Sequence, residues 1–334
     1  MNSFGHSFRI TLFGESHGPA IGVTIDGMPA GIPFSEQDLA PDLARRRTGA
    51  RGTTPRREPD IPQILPEIVS GIYNGHTDGT PLTILFRNAN TRPHDYAAFV
   101  RHPRPSHADL VAFRKYGGFN HPGGGGMFSG RMTVALGAAG AAAQKLLPGV
   151  RFSTRLTEID GMTDSSSFER ILNDLRLAGD TAGGVVEIRA QGIAAGTGEP
   201  FFDSIESTAA HLIFSIPGVK GIEFGAGFAA ARSRGSHNND LIADRHGTTA
   251  TNNDGGINGG LANGNEIVLR VGFKPAPSIA QPQETFDFTA GHPTPLVIPG
   301  RHDVCIALRG AVAAEAALAI ALADLALRAG NAAV

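Results

Sequence analysis

Two stretches of this chain, Gly130–Leu147 and Arg309–Ala329, are built mostly of alanine and leucine, with few polar positions around the helical wheel. A helix that is apolar nearly all round does not sit on a surface; it belongs between layers or at a subunit interface. Covering two such helices takes material on several sides, and 334 residues are enough to supply it. Strand-like runs occur at Ile21–Ile25, Leu82–Phe86, Val185–Ile188 and Ile267–Val271. Further helical patterns lie at Glu36–Arg47, Ser167–Ala178 and Ser204–Phe214. Strands and helices do not alternate in strict βαβ order, which favours an α+β fold over a doubly wound sheet. No linker-like shift in composition and no internal repeat is visible, so the chain reads as a single domain over residues 1–334.

Neither long apolar stretch reads as a membrane span, because Glu315 and Asp324 interrupt Ala311–Leu327. Met1–Phe13 lacks an apolar targeting region. The single cysteine, Cys305, excludes an intrachain disulfide and fits a reducing compartment. A soluble cytoplasmic protein with no membrane partner is the expectation.

Charge is distributed unevenly. Of 29 basic residues only four are lysine, and six arginines (45, 46, 47, 51, 56, 57) crowd into Arg45–Arg57, yet the formal net charge is -2. Guanidinium groups match carboxylate and phosphate oxygens two at a time. A local cluster on a near-neutral chain points to a small, multiply anionic ligand. Nucleic acid would call for a basic surface and a recognisable binding motif, and neither is present.

Polar loops at Thr48–Asp60, Phe119–Phe128, Ser233–Asn258 and Lys274–Pro299 are where a site is expected. In Gly14-Glu15-Ser16-His17-Gly18, flanking glycines let the backbone turn and expose the imidazole, although a loop histidine is often only a surface or capping residue. By letters the stretch fits a nucleophile elbow, but Pro19 and a strand follow it where that motif needs a helix. His107, in Arg104-Pro105-Ser106-His107-Ala108-Asp109, reads either as functional or as a structural histidine paired with the aspartate. Gly123–Gly126 leads through Met127-Phe128-Ser129-Gly130-Arg131 into an apolar helix, a place where bare backbone N–H groups can bind an anion. Asn252–Gly264 is a third Gly- and Asn-rich stretch that turn formation alone would explain. Lys274-Pro275-Ala276-Pro277-Ser278 is a stiff loop presenting an ammonium and a hydroxyl. Asp303, in Gly300-Arg301-His302-Asp303, could cap the last helix. No His-Glu-x-x-His or Cys/His spacing suggests a metal.

Together, and in this order, Phe13–Gly18, Asp42–Asp60, Arg104–Asp109, Ile216–Gly221, Arg234-Gly235-Ser236, Asn252–Gly264, Lys274–Ser278 and Arg301-His302-Asp303 resemble the chorismate synthase family along nearly the whole chain. The resemblance implies central long helices sandwiched between two antiparallel β-sheets, and assembly as a homotetramer. It implies conversion of 5-enolpyruvylshikimate 3-phosphate (EPSP) to chorismate and phosphate in the shikimate pathway, with reduced FMN (FMNH2) required and NADPH used by some members as reductant. By the same resemblance His17 would be the general acid toward the departing phosphate, and His107 would hold or protonate the reduced flavin near N1. Asp303 would assist flavin N5 in taking the C6 proton. Arg46, Arg51, Arg104 and Arg131 would surround the anionic substrate, with Arg301 on the cofactor. The flavin would rest against Met127, Phe128, Ser129, Pro217, Gly218, Gly259 and Lys274, Pro275, Ala276, Pro277 and Ser278. One motif departs from the commonest family pattern. Many members read Gly-Gly-Gly-Arg-Ser-Ser-Ala-Arg where this chain has Met127, Phe128, Ser129, Gly130 and Arg131 after the glycines, and Met132 replaces a usual glutamate.

Overall fold

The computed structural model describes residues 1–46, 66–88, 98–298 and 303–330. Five strands, β1 (Ser3–Phe4), β2 (Arg9–Gly14), β3 (Ala20–Asp26), β4 (Glu67–Ser70) and β5 (Leu82–Arg87), form one antiparallel sheet in the order β1-β2-β3-β5-β4. Four more, β6 (Arg151–Ile159), β7 (Gly184–Gln191), β8 (Val219–Phe224) and β9 (Ile267–Phe273), form a second antiparallel sheet in the order β8-β9-β7-β6. In β9 the burial alternates without a break, with Ile267, Leu269, Val271 and Phe273 inward. Each strand therefore gives one face to a shared interior.

Six helices are relevant to the site: α1 (Ala40–Arg46), α2 (Asp109–Tyr116), α3 (Thr133–Lys145), α4 (Phe168–Ala178), α5 (Ile205–Ile213) and α6 (Ala307–Arg328). The two alanine-rich helices are α3 and α6, and they pack on each other between the sheets. Helix α3 faces β2, β3 and β5, whereas α6 faces β6, β7 and β9. The sandwich expected from the resemblance is the fold observed.

Every residue of α6 from Val312 to Ala326 is buried. By length and composition this helix is long and apolar enough to cross a membrane, contrary to the reading that its two carboxylates rule this out. Here 83% of its apolar window is instead covered by protein. Both buried carboxylates are bonded. Glu315 takes a two-pronged ion pair from Arg45 of α1 at 2.6 and 2.8 Å and a hydrogen bond from the Thr154 hydroxyl of β6. Asp324 Oδ1 accepts the backbone N–H groups of His6, Ser7 and Phe8 at 2.9, 2.6 and 2.8 Å. A buried charge is tolerable only with such partners.

Backbone approach sets the spacing between α3 and α6. A Cβ added to Gly140 would lie 2.4 Å from Ala316 Cβ and 2.6 Å from its Cα, whereas one added to Gly137, a turn earlier, would meet nothing within 4 Å. The helix boundaries read from sequence agree with the structure within a few residues, apart from Arg47, which lies outside the described residues. The Lys274–Pro299 loop does not: Gln283–Asp287 and His292–Leu296 pair as a hairpin. Its prolines at 293 and 295 hid the strand, since proline is confined to sheet edges.

Gly140→Ala should destabilise the protein by about 1–3 kcal/mol through overpacking. Gly137→Ala should be neutral or stabilise it by up to about 1 kcal/mol, the usual gain on removing a helical glycine. Urea unfolding of both variants reads the contrast, and equal behaviour would refute the close-contact account.

Candidate active site

A cavity of about 580 Å³ opens where the N-terminal turns of α3 and α6 lie side by side. That volume is in the range of small-molecule sites. Ser129, Gly130 and Thr133 line it from the first helix, and Asp303, Ile306, Arg309 and Gly310 from the second. Both helix dipoles therefore turn their positive ends toward the same space. The far wall comes from the segment after α5, Phe214 to Lys220, together with Phe273, Lys274 and Pro277. Arg46, the last residue of α1, closes another side with Ser106 and His107.

Arg46 is held in place by the start of α3. Its Nη2 donates to the Gly130 carbonyl and the Thr133 hydroxyl, each at 2.8 Å. Arg45, its neighbour in sequence, is spent on Glu315. The arginine segment thus divides between structure and site at its first two members. Arg51 and the remaining arginines of that segment lie outside the described residues, as does Arg301.

His107 is oriented from behind. Asp109 Oδ1 lies 2.6 Å from its Nδ1, and Arg104 Nη2 lies 3.1 Å from the same nitrogen. Arg104 also grips Asp109 with Nε and Nη2, both at 2.8 Å. Burial pushes the Asp109 carboxyl upward, but the hydrogen bonds from Arg104 and His107 outweigh it and hold the group well below the usual carboxylate range. The histidine is thus paired with the aspartate, as one of the two readings has it, and it also lines the cavity. Arg104 itself is buried, stacks on Phe99, reaches Ser278 Oγ at 3.4 Å and does not line the cavity.

His17 approaches from the glycine run. The Gly14–Gly18 turn is fastened by Asn88, whose Nδ2 donates to the Glu15 and Gly18 carbonyls at 3.0 and 2.7 Å. Ser16 Oγ lies 3.2 Å from His17 Nδ1, and the Ser16 amide donates to the Gly126 carbonyl at 3.2 Å. Gly124 must be glycine: a Cβ there would sit 2.1 Å from His17 Nδ1. Gly126 must be too, with φ 54° and ψ -128°. The imidazole therefore lies against Gly124, which lines the cavity, while His17 itself does not line it.

Met127, Phe128 and Ser129 line the cavity, and Tyr116 of α2 supports the first two, its hydroxyl 3.9 Å from Met127 Sδ and its ring 6.3 Å from that of Phe128. Pro217 and Gly218 also line it, and the Gly218 carbonyl accepts from the Lys274 amide. Lys274 Nζ donates to the Ser106 carbonyl at 2.7 Å, and burial, with Lys220 nearby, lowers its pKa. Pro275, Ala276 and Ser278 stand behind this lining. Arg131 does not line the cavity; its amide donates to Ser129 Oγ. Gly259 is apart from the others. It turns a small hairpin whose Gly260 packs on Ser204, at the start of α5, whereas the cavity adjoins the end of α5. Asp303 does not cap α6, whose N-cap is Ile306; its Oδ2 instead accepts from Arg309 Nη1 at 3.1 Å. Lys220 was read only within the Ile216–Gly221 motif, and Arg309, Thr133 and Asn88 went unread in the sequence. Arg309 is submerged in an alanine-rich run, and Asn88 acts on main-chain carbonyls some 70 positions away.

The family described as chorismate synthase matches residues 8–327. A chorismate synthase of Chitinophaga pinensis is 53% identical over 328 residues, covering 98% of this chain and 97% of that protein. One from Methanosarcina mazei is 44% identical over 358 aligned positions, covering 98% and 97%. A crystal structure of chorismate synthase superimposes with a TM-score of 0.73 at 26% identity, covering 97% of this chain and 93% of that one.

Asp109→Asn should cost about 3 kcal/mol of stability at neutral pH, since it strips a buried cation of its partner. A carboxylate whose pKa is lowered on folding stabilises above its unfolded pKa, near 4, and loses that contribution as pH falls through the folded value. The gap between parent and variant in urea unfolding should accordingly shrink below about pH 4. A gap independent of pH would show that the carboxylate charge is not what matters.

Proposed function

The chain belongs to the chorismate synthase family of lyases, and on that footing we propose that it eliminates phosphate from EPSP to form chorismate in the cavity between the two helix N-termini, with reduced FMN bound beside the substrate. The observation that carries this reading is the convergence of Arg46, Lys220, Lys274 and Arg309 on one cavity with His107 and Asp303, and with His17 across Gly124. Like charges about 4 Å apart repel by roughly 4 kcal/mol at an effective dielectric of about 20, so such a pocket favours a ligand with several anionic groups. EPSP carries two carboxylates and a phosphate.

The residues present suit a flavin. Met127, Phe128, Pro217, Pro277 and Ile306 offer apolar surface to a planar ring, and Lys220 and Lys274, which have no carboxylate partner among the described residues, suit its phosphate. Reduced flavin, when bound, supplies the electron-rich chemistry needed to break an unactivated C–H bond. The protein's part is to bind, orient and move protons. With Nδ1 beside Ser16 Oγ, His17 has Nε2 as the nitrogen that delivers a proton to the departing phosphate oxygen. His107, with Nδ1 engaged by Asp109, likewise presents Nε2 toward the cofactor. Asp303 assists in accepting the substrate proton.

Arg51 and Arg301 complete the anion-binding set in this reading, with Arg104 and Arg131 supporting it from behind the lining, and Gly259 would meet flavin only outside the cavity just described. The reading extends to one domain over residues 1–334, supported by a continuous core that reaches both sheets. It extends further to a cytoplasmic homotetramer, for which exposed Phe228, Leu241 and Ile242 offer apolar surface to cover. Reduced flavin comes in this scheme either from an external reductase or, as in some family members, from reduction by NADPH on the protein itself.

Anaerobic incubation of the pure protein with EPSP and reduced FMN should release chorismate and phosphate together; folded protein that releases neither defeats the proposal. His17→Ala and His107→Ala should each lower kcat by about 10²–10⁴-fold, the usual worth of a general acid or base, with little change in Tm. Near-parental turnover by either variant would remove that histidine from its role.

A further inference from the structure

Arg309 stands on the first turn of α6, lines the cavity, and joins two groups that the sequence places far apart. Its Nη1 donates to Asp303 Oδ2 at 3.1 Å, and its Nε donates to the Arg46 carbonyl at 3.2 Å. One planar fork therefore links the carboxylate just before α6 to the last residue of the arginine-bearing helix α1. Arg46 is fixed a second time, through its own guanidinium, to Gly130 and Thr133 at the start of α3. The three elements that meet at the cavity are thus tied in sequence: α3 to Arg46, Arg46 to Arg309, and Arg309 to Asp303.

Packing leaves the guanidinium little choice of place. Gly310, the next residue, lies under Phe273 of β9, where an added Cβ would come within 2.4 Å of the ring. The first turn of α6 is thereby pressed onto the second sheet, and Arg309 projects along the cavity wall with its side chain 26% exposed. A lysine cannot reproduce the arrangement. It is a single point charge, whereas the two acceptors lie on separate edges of a flat fork.

We infer that Arg309 is a positioning residue: it sets the Asp303 carboxylate relative to Arg46, and acts on turnover through Asp303. The inference rests on the proposed role of Asp303. A carboxylate displaced by about 1 Å from a reacting group can cost on the order of 10²-fold in rate. Arg309→Met keeps the length of the side chain and removes both donors.

The test is a double-mutant cycle of Arg309→Met and Asp303→Asn, scored as kcat and KM for EPSP under anaerobic conditions with reduced FMN, with thermal unfolding of each variant alongside. Arg309→Met alone should lower kcat on the order of 10²-fold while changing KM by less than about threefold. In the Asp303→Asn background the same substitution should cost less than about threefold, because the group it positions is already gone. A loss of the same factor in both backgrounds, or one confined to KM, overturns the inference. If Arg309→Met does not fold, Arg309→Lys takes its place in the same cycle, with the same two outcomes deciding. Parental turnover by Asp303→Asn would instead overturn the role assigned to Asp303. An impaired Asp303→Asn with independent, multiplicative effects would reject Arg309 as its positioner and leave the proposed reaction standing.

Discussion

The close crossing of α3 and α6 is the constraint from which the rest of the architecture follows. Because Gly140 has no side chain, Ala316 can approach the opposing backbone, and the two helices act as one thin apolar slab. A sheet can be laid on each face of such a slab, and β9 shows the alternation this requires, while β3 turns Ile21, Val23 and Ile25 inward with Gly22 buried between them. The same crossing places the first turns of both helices at one edge of the slab. Two positive helix ends then share an opening that neither could form alone. The cavity is a product of this registration, and the cations around it extend a field that the main chain begins.

Around that opening the protein uses charge in two distinct ways. Some groups are held in reserve behind the wall: Arg104 satisfies Asp109, and Arg45 satisfies Glu315. Others reach the space itself, as Arg46, Lys274 and Arg309 do. Neighbours in sequence can fall on opposite sides of this division. Main-chain carbonyls carry much of the positioning, through Asn88 on the His17 turn, Lys274 on Ser106, and Arg46 on Gly130. Backbone anchors of this kind hold geometry without spending a second charge.

What the sequence made legible follows from how local each signal was. The alanine-rich helices announced themselves because burial on all sides leaves no room for a polar stripe. The strand at Ile267 did so because its alternation is unbroken. By contrast, β6 alternates over Arg151–Leu156, but its inward positions Phe152, Thr154 and Leu156 are only half-buried and one of them is polar, so the apolar signal is weak. The hairpin at Gln283–Leu296 carries prolines that contradict its own conformation. At the site, His107 could be read with its aspartate because both belong to one short segment. Arg309 could not, since nothing in an Ala- and Leu-rich run marks one arginine as facing a cavity. Apart from the family resemblance, Asp303 looked like a cap, because its position before a helix is all that the local residues reveal. Its attachment to the side chain six residues on is a fact of three-dimensional packing.

Asp324 gathers three amide protons from His6, Ser7 and Phe8, more than 300 residues upstream. During synthesis the β1–β2 hairpin leaves the ribosome long before its clasp exists, and the slab that both sheets must cover is completed only when α6 follows. Translation of this chain therefore passes through a stage in which nine strands are available but half of their common floor is missing. Until α6 emerges, the apolar faces of those strands lack a complete partner, and transiently exposed apolar surface of this kind is what makes a partly folded chain prone to aggregate.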